Sequence, residues 1–270
     1  MVKVMDCLIC PKCRTQLNIA DKSLKCSNNH CFDLAKEGYV NLLISNKNGS
    51  FIGDNKDMAL SRRDFLNKGY FKLLADSLCN ELDALGSDSP FVLDICCGEG
   101  YYSSYLKEHH AGKYYGFDIS KEMVRLAAKR KNDVSYFVAN MTDIPLSDSS
   151  VDFAFHLFAP FYEKEFYRVL NNNGVLISVT PGKRHLFSLK ELLYDTPYEN
   201  EITPPETALL KLKEQKNIRA EITLTSHEDI ISLFKMTPYY YHTSNECKQR
   251  LDNISSLKTE IEFILNIFVK

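Results

Sequence analysis

The cysteines of this 270-residue chain are unevenly distributed, and their spacing is typical of a metal site. Five of the nine lie within residues 7–31: Cys7, Cys10, Cys13, Cys26 and Cys31. Cys10 and Cys13 form a C-x₂-C knuckle, and Cys26 with His30 offers a second ligand pair about a hairpin's length further on. Zinc prefers four thiolate or imidazole donors at tetrahedral corners, and four protein ligands make a structural site. The spacing therefore predicts a structural zinc site.

The spacing alone leaves the choice of ligands open. Cys7 and Cys10 also form a knuckle, and Cys31 could replace His30. The competing interpretation is a set of small buried thiols, which clustered cysteines with paired spacing disfavour. Because a short, loop-rich segment buries little apolar surface, bound metal would supply its folding free energy.

A second set of chemically competent residues follows a short apolar run at 91–96. Asp94 precedes a turn that contains Gly98, Glu99 and Gly100. Glycines adopt positive φ and let a ligand approach the backbone closely, and the helix that opens here offers free N–H groups to electronegative atoms. Asp118 ends the next apolar run, where an acid can bind ribose hydroxyls. The pattern predicts a nucleotide-type cofactor site.

Two cofactors compete for this loop. A dinucleotide fingerprint needs a third glycine, and Ser103 stands at that position. The carboxylates of Asp94 and Glu99 would repel a pyrophosphate, whereas they would attract the cationic amino acid part of S-adenosylmethionine. The loop therefore favours S-adenosylmethionine. The alternative interpretation of Asp94 and Asp118 is loop capping.

The elements that must position these residues alternate between strand and helix. Apolar runs predict strands at 91–96, 114–119, 134–139, 151–158, 175–180, 222–224 and 261–269. Helical spacing predicts helices at 101–109, 121–130 and near 162–170. Such alternation predicts an α/β fold with a mostly parallel sheet. The last run is apolar on both faces, as expected of a buried central strand.

Composition shifts divide the chain into three zones. Residues 1–40 are predicted to form a zinc-binding ribbon. Residues 41–90 are predicted to be a linker, polar from Asn46 to Lys56, followed by a helical connector in which apolar residues recur between Phe65 and Leu78. Residues 91–270 are predicted to form the cofactor domain, with a polar insertion or lid near 195–218.

Charge and hydropathy exclude several classes of protein. The net charge is −2, and 44% of residues are hydrophobic, as in ordinary globular chains. This balance argues against a uniformly basic nucleic-acid coat but allows a local basic cleft. No apolar run reaches the about 20 residues of a membrane span, and the first residues lack the apolar core of a secretory signal. We therefore expect a cytoplasmic protein with no membrane partner.

Together with both motifs, the sequence resembles the bacterial 23S rRNA guanine-N1 methyltransferases of the RlmA type, over nearly the whole chain. Matching stretches are Cys10-Pro-x-Cys13, the run Ala35-Lys-Glu-Gly-Tyr-Val-Asn-Leu-Leu43, Leu93-Asp-Ile-x-Cys-Gly-Glu-Gly-Tyr-Tyr102, and Thr180-Pro-Gly-x-Arg-His-Leu186. The resemblance implies a class I S-adenosylmethionine-dependent methyltransferase (Rossmann-like, mostly parallel sheet) with a small N-terminal zinc ribbon for RNA recognition. It also implies a homodimer that methylates guanine N1 in a hairpin loop of 23S rRNA.

The resemblance assigns residues to both sites. Its zinc ligands fall on Cys10, Cys13, Cys26 and His30. Its donor contacts fall near Phe71, on Glu99 and Gly100, and on His185. The family has a tyrosine near 71, so both Tyr70 and Phe71 are candidates. With the loop residues, the predicted donor site comprises Tyr70, Phe71, Asp94, Cys96, Gly98, Glu99, Gly100, Asp118, Asn140 and His185.

Cys96 departs from the family pattern. It stands where the family's loop has its first glycine. If that position requires positive φ, a cysteine there is strained, and donor affinity is expected to drop.

Methylation of N1 also requires that the guanine be positioned and lose a proton, because N1 is protonated at neutral pH. Asp143, His156 and His185 are candidate bases by their positions after strands, although His156 is better explained as a core histidine on an apolar strand. Phe158, Phe161 and Tyr162 could stack on the target base or belong to the core.

RNA phosphates need cations, and the candidates cluster in three places. They are Lys12, Arg14, Lys22 and Lys25 in the ribbon, the pair Arg62 and Arg63, and the pair Lys183 and Arg184.

Two other functions fit the sequence. One is a small-molecule methyltransferase with an accessory zinc ribbon. The other is a zinc-dependent RNA- or protein-binding module whose donor loop has decayed at Cys96.

Overall fold

The computed structural model describes residues 6–44 and 56–270, so the predicted polar linker, apart from Lys56 at its end, lies outside the described residues. The N-terminal ribbon is an antiparallel meander of β1 (Leu17–Ala20), β2 (Ser23–Cys26) and β3 (Cys31–Asp33). Its main aliphatic core residues are Leu8, Leu17 and Leu24. This small core is continuous with an apolar layer of the large sheet, and the Ile9 N–H donates at 3.0 Å to the carbonyl of Pro145, in a loop of the larger domain.

The chain enters the large sheet directly after the ribbon. β4 (Val40–Asn41) pairs in parallel with β7 (Val134–Val138). Two helices then follow, α1 (Lys56–Asn67) and α2 (Lys72–Asp83), in the zone predicted to be a helical connector. Gly69 separates them with a φ of +80°, a conformation that glycine adopts without steric cost.

The large sheet has eight strands in the described residues. In addition to β4 and β7 they are β5 (Phe91–Ile95), β6 (Lys113–Asp118), β8 (Val151–Leu157), β9 (Leu170–Pro181), β10 (Lys211–Leu224) and β11 (Leu257–Val269), in the order β10-β11-β9-β8-β5-β6-β7-β4. The pairs from β9 to β4 are parallel, and β11 is antiparallel to both its neighbours. The predicted mostly parallel α/β fold is confirmed.

Helices connect these strands and cover the sheet. They are α3 (Tyr101–His109), α4 (Lys121–Ala128), α5 (Glu163–Val169), α6 (Phe187–Leu193), α7 (His227–Lys235), α8 (Tyr239–His242) and α9 (Asn245–Gln249). α4 begins at the side chain of Ser120, which accepts a hydrogen bond from the Met123 N–H, as is usual at a helix N-terminus. None of the helices in the described part of the chain is long and apolar enough to cross a bilayer.

The strand order reverses between β5 and β8. From β5 the chain proceeds outward through β6 and β7, and it then returns to place β8 on the other side of β5. In open α/β sheets, ligands bind at the carboxyl ends of the strands that flank such a reversal. Asp94, near the end of β5, lies at this point.

The later strands are longer than predicted, and this corrects the expected insertion. Residues 195–210 contain no helix or strand, but residues 211–218 belong to β10, which pairs with β11 over its whole length. β10 is an edge strand whose side chains are mostly exposed. Its polar composition therefore hides most of the strand, which is held in the sheet by backbone pairing with the apolar β11 and by a few side-chain contacts, such as that of Asn217 with Glu262.

Candidate functional site

Four metal donors come together in the ribbon. The side-chain donor atoms of Cys10, Cys13, Cys26 and His30 all lie within 4.8 Å of one another. His30 Nδ1 is 3.4 Å from the Sγ atoms of both Cys10 and Cys26, and the Sγ atoms of Cys13 and Cys26 are 3.6 Å apart. Three thiolates and one imidazole are a donor set typical of structural zinc. The residues therefore fit the metal, and no fifth donor is needed.

The two competing cysteines lie elsewhere. Cys31 is exposed on β3, and the Sγ of Cys7 lies 3.3 Å from the Nζ of Lys113, on the large sheet. The spacing could not distinguish these alternatives. The fold does so by turning Cys7 toward the sheet, away from the other thiols.

The predicted donor loop has left-handed backbone at alternate residues. The φ angles are +59° at Cys96, +54° at Gly98 and +80° at Gly100. A Cβ atom at Gly100 would lie 2.6 Å from the hydroxyl of Tyr136, so only glycine fits there. At Cys96 the side chain is present in spite of the strain, which costs roughly 1–2 kcal/mol for an L-residue.

Asp94 has a buried oxygen that the protein leaves unsatisfied. The side chain is 2% exposed, and its Oδ2 has no hydrogen-bond partner among residues 6–44 and 56–270. Burial raises its pKa to about 8, and nearby Asp118 and Glu99 add to the rise, while a hydrogen bond from Ser103 opposes it. An unsatisfied buried acceptor is costly unless a ligand pairs with it. A cationic group such as the ammonium of S-adenosylmethionine would do so.

Asp118 and Asn140 lie at the carboxyl ends of β6 and β7 and shape the neighbouring loops. The carboxylate of Asp118 accepts from the Gly98 N–H at 3.0 Å and from the Ser120 N–H at 2.8 Å. The side-chain oxygen of Asn140 accepts from the Thr142 N–H at 3.0 Å. A carboxylate has about four lone-pair sites, so Asp118 can cap the loop and still accept from a ligand hydroxyl.

Glu99 is buried, but its charge is already paired. Its carboxylate forms an ion pair with Arg130, whose Nε donates at 2.9 Å. Burial raises the pKa of Glu99, and the Arg130 guanidinium opposes this rise. Glu99 therefore shapes the loop more than it adds free charge to the site.

A cavity opens at the switch point above the loop. It is lined by five residues that were predicted to contact the donor, namely Phe71, Asp94, Cys96, Gly98 and Glu99. Residues from α1, the end of β8 and the end of α7 complete it: Arg62, Leu66, Leu157, Phe158 and Met236, together with Cys97, Tyr101 and Tyr102 of the loop and α3. Cavity and unsatisfied carboxylate coincide, so this is the candidate donor site.

Of the two aromatic candidates before α2, only one lines the cavity. The hydroxyl of Tyr70 donates to Asp229 on α7 at 2.8 Å, and this residue does not line the cavity. Phe71 does line it and packs edge-on against His185 and Phe263.

His185 lies beneath the cavity rim in an aromatic cluster. Its Nδ1 accepts from the Glu262 N–H at 3.2 Å, so the neutral ring carries its hydrogen on Nε2. Burial lowers the pKa of His185 to about 3. Phe158 stacks over the imidazole with ring centres 6.1 Å apart. His185 thus offers a neutral N–H donor and an aromatic face.

The other two base candidates lie away from the cavity. His156 Nε2 donates to the carbonyl of Pro160 at 2.8 Å, and burial lowers its pKa to about 4, as expected of a satisfied core histidine. Asp143 is exposed and forms an ion pair at 2.8 Å with Arg14 of the ribbon.

Sequence reasoning assigned Arg62 to RNA and missed its place in the cavity. It lines the cavity and donates from its guanidinium to the carbonyl of Met236 at 3.2 Å. The sequence does carry a signal, because Arg62-Arg-x-Phe-Leu66 and Met236-Thr-Pro238 are two further stretches that resemble the RlmA family. The proximity of the two residues, however, depends on the packing of α1 against α7.

Comparison with known proteins supports the assignment of a zinc ribbon and a methyltransferase domain to this chain. Residues 8–50 match the zinc-ribbon family described as the RlmA N-terminal region, and residues 92–174 match the methyltransferase domain family. A Streptomyces fradiae 23S rRNA (guanine(748)-N(1))-methyltransferase is 32% identical over 84% of this chain and 77% of its own length. The chain belongs to the 23S rRNA guanine-N1 methyltransferase family.

Two further relatives of this family cover most of both chains. YxjB of Bacillus subtilis (strain 168), provisionally named a 23S rRNA (guanine-N(1)-)-methyltransferase, is 29% identical over 97% of this chain and 96% of its own length. A similarly named Micromonospora griseorubida protein is 28% identical over 87% of each chain. The chain is thus a class I S-adenosylmethionine-dependent methyltransferase with an N-terminal zinc ribbon.

Proposed function

We propose that the protein transfers a methyl group from S-adenosylmethionine to N1 of a guanine in 23S rRNA. The bond between sulfur and the methyl carbon would break as the bond from N1 to that carbon forms, and the N1 proton would pass to solvent water. The observation that carries the proposal is the unsatisfied Asp94 carboxylate in a glycine loop, in a chain of the guanine-N1 family that also gathers four zinc donors. The donor, when bound, supplies an electrophilic methyl group on a sulfonium. An enzyme acting on rRNA would work in the cytoplasm.

The donor site is proposed to use the residues of the cavity and its rim. Asp94 would pair with the donor's ammonium, and Asp118 would accept from its ribose hydroxyls. Phe71 and Cys96 would line the walls, and Gly98, Glu99 and Gly100 would form the loop itself, with Asn140 and His185 at its borders. Tyr70 is proposed to act indirectly, because its hydroxyl anchors the α1–α2 turn to Asp229.

Phe158 is proposed to hold the target guanine. It is 40% exposed on the cavity rim, and its φ of +54° is a conformation that bulky residues rarely adopt. Such strain persists where the surrounding structure enforces it, often at functional sites. His185 and Phe263 support the ring from behind. A base drawn out of its stack could rest on the outer face of the ring.

The chain's main contribution to the reaction is proposed to be alignment. Asp143 and His156 are committed to other partners, and His185 is neutral with its hydrogen on Nε2. Its role would therefore be to support from behind the Phe158 ring on which the base is proposed to rest. Holding N1 in line with the donor methyl can lower the barrier by about 7–11 kcal/mol.

The ribbon is proposed to be a zinc-folded RNA-binding module. Cys10, Cys13, Cys26 and His30 would be its ligands, and the exposed Lys12, Lys22 and Lys25 would contact phosphate. The resemblance to the RlmA family also leads us to propose a hairpin of 23S rRNA as the substrate and a homodimer as the active form.

The direct test is methylation of unmodified 23S rRNA in vitro by the purified protein with isotopically labelled donor, followed by nucleoside mass spectrometry. We expect label in N1-methylguanosine and in no other nucleoside. Label in a different nucleoside, or activity on a small-molecule acceptor with none on RNA, would contradict the proposal.

A further inference from the structure

A second concave surface lies between α1 and α4, away from the donor cavity. Its volume of about 370 Å³ falls in the usual range for ligand pockets, roughly 300–1,000 Å³. The two helices line it with five cations and one acid: Lys56, Arg63, Arg125, Lys129, Arg130 and Glu122. We call it the α1–α4 pocket. The concentration of positive charge predicts an anionic ligand.

The lysines carry the uncompensated charge. Arg125 contacts Glu37 and Glu122 at 3.3 and 3.2 Å. Among the described residues, Arg63 pairs only with its exposed neighbour Asp64, an ion pair of little strength in water. Lys56 and Lys129 are exposed and have no ion pair with any residue in 6–44 or 56–270. An anion that entered the pocket would meet both lysines and the unused N–H groups of the arginines.

The chemistry of the lining favours phosphate in a nucleic-acid backbone. Ammonium groups and guanidinium forks are the usual phosphate donors in proteins. No aromatic ring from the described residues lines the pocket, and its apolar surface is limited to Leu60 and Leu126. The pocket therefore lacks a surface on which a base could stack, and a contact with backbone phosphate fixes position without reading sequence.

Arg130 connects this pocket to the donor loop. Its guanidinium lines the pocket and also bonds to the carboxylate and backbone carbonyl of Glu99, which lines the donor cavity. It donates to the side chain of Asn67 as well, at 2.9 Å. A phosphate in the α1–α4 pocket would therefore lie directly behind the loop that holds the methyl donor.

We infer that the α1–α4 pocket binds a backbone phosphate of the RNA substrate and helps to fix the strand beside the active site. This inference rests on the proposed function, since it takes RNA as the substrate. It adds a phosphate site outside the ribbon, on the methyltransferase domain itself.

The test compares two double variants of the full-length protein with equal loss of charge. Lys56→Gln with Lys129→Gln removes the uncompensated cations of the pocket. Lys211→Gln with Lys213→Gln removes two exposed lysines from β10, at the opposite edge of the sheet. The affinity for a fluorescent 23S rRNA fragment is measured by anisotropy over a range of salt concentrations, and donor affinity is measured by calorimetry.

We expect the pocket variant to bind RNA roughly three- to tenfold more weakly and to reduce the salt slope by about 1. The β10 variant should match the unmodified protein, and donor affinity should be unchanged in both. Equal RNA binding by the two variants would overturn the inference. A second result would also overturn it: inorganic phosphate protects the unmodified protein, but not the pocket variant, against thermal unfolding, while the two proteins bind RNA equally well. The ligand of the pocket would then be a free anion.

These outcomes are separate from the proposed function. If the unmodified protein binds RNA but methylates no guanine, the proposed reaction fails, while the comparison of binding still decides the role of the pocket.

Discussion

The zinc ribbon and the donor loop each bring together side chains that repel one another when they are charged: thiolates in the ribbon and carboxylates around the loop. The two regions differ in what stabilises this arrangement. In the ribbon, three thiols and an imidazole lie within 4.8 Å in a segment with a small core. In the loop, Asp94 is buried at the end of a strand of a large sheet with an extensive apolar core, and burial raises its pKa to about 8. A ligand should therefore decide whether the ribbon folds, whereas in the loop it should decide only whether a carboxyl group is ionised.

Loss of a zinc ligand should have the largest effect. Cys13→Ser should lower the zinc content and unfold the ribbon, because structural zinc contributes on the order of 10 kcal/mol in small zinc domains. Metal analysis and limited proteolysis measure both effects. Cys31→Ser is the matched control, since this thiol is exposed in the same ribbon outside the cluster. Retention of zinc by Cys13→Ser and its loss from Cys31→Ser would show that the ligand set is wrong.

Removal of the Asp94 charge should affect binding and leave the fold intact. Asp94→Asn should weaken donor binding by about 2 kcal/mol, or roughly thirtyfold, because a buried hydrogen bond to a charged partner is lost. Titration calorimetry measures this change. Asp143→Asn is the control, since Asp143 is exposed and paired with Arg14. Equal donor affinity in the two variants would remove Asp94 from the site.

Donor binding should depend on pH through the same carboxyl group. Below about pH 8 Asp94 is protonated in the free protein, and pairing with an ammonium requires the ionised form. Binding should therefore release a proton, and affinity should rise by up to about tenfold per pH unit as the pH approaches 8. Above that, the donor's own amino group, with a pKa of about 8, loses its charge and affinity should fall. A flat profile for the unmodified protein, or the same rise in Asp94→Asn, would refute this explanation.

Phe158 should matter for RNA and not for the fold. Phe158→Leu should lower kcat/KM for RNA at least about fivefold, because stacking on an aromatic ring contributes about 1–3 kcal/mol per base. Donor affinity should change little. Tyr162→Leu removes another exposed aromatic nearby, 37% exposed and outside the cavity lining, and should behave as the unmodified protein does. Similar losses in both variants would indicate a general effect of surface aromatics.

The smallest expected effect concerns Cys96. Cys96→Gly should stabilise the protein by at most about 1 kcal/mol and raise donor affinity a few-fold. Glycine relieves the strain of roughly 1–2 kcal/mol at φ +59°, but it loses more backbone entropy on folding, which costs roughly 0.5–1 kcal/mol. Cys96→Ala removes the thiol but keeps the strain, so it should show neither gain. Thermal unfolding and calorimetry distinguish the two variants. Equal gains from both would point to the sulfur, 3.9 Å from the sulfur of Met141, as the cause.

The sequence was sufficient to predict the helices and strands that have a regular spacing of apolar residues along the chain. The parallel strands alternate with helices, and apolar runs mark them because both faces of the sheet are covered. Only the apolar end of β10, at 222–224, was predicted. The rest of β10 escaped detection because an edge strand with exposed faces has no apolar signature, and its pairing with β11 is a long-range property. The same reason explains the shortened insertion, which ends at residue 210.

The sequence predicted many of the residues of the candidate site, but it did not predict how these residues are arranged in space. Asp94, Gly98 and Gly100 lie within seven residues of one another, so a single turn is enough to bring them together. The separation of Tyr70 from Phe71 depends on Asp229 of α7, and the burial of His185 depends on Phe263 of β11. Likewise Arg62 and Arg63, neighbours in sequence, point into different cavities because successive residues of a helix face different directions.

The most direct measurement is mass spectrometry of the 23S rRNA hairpin from cells with and without the gene. A plasmid encoding the unmodified protein or Asp94→Asn is then returned to the deleted strain. We predict that N1-methylguanine disappears at one hairpin guanine on deletion and returns with the unmodified gene, but returns poorly with Asp94→Asn. An undiminished N1-methylguanine signal in the deleted strain would contradict the account.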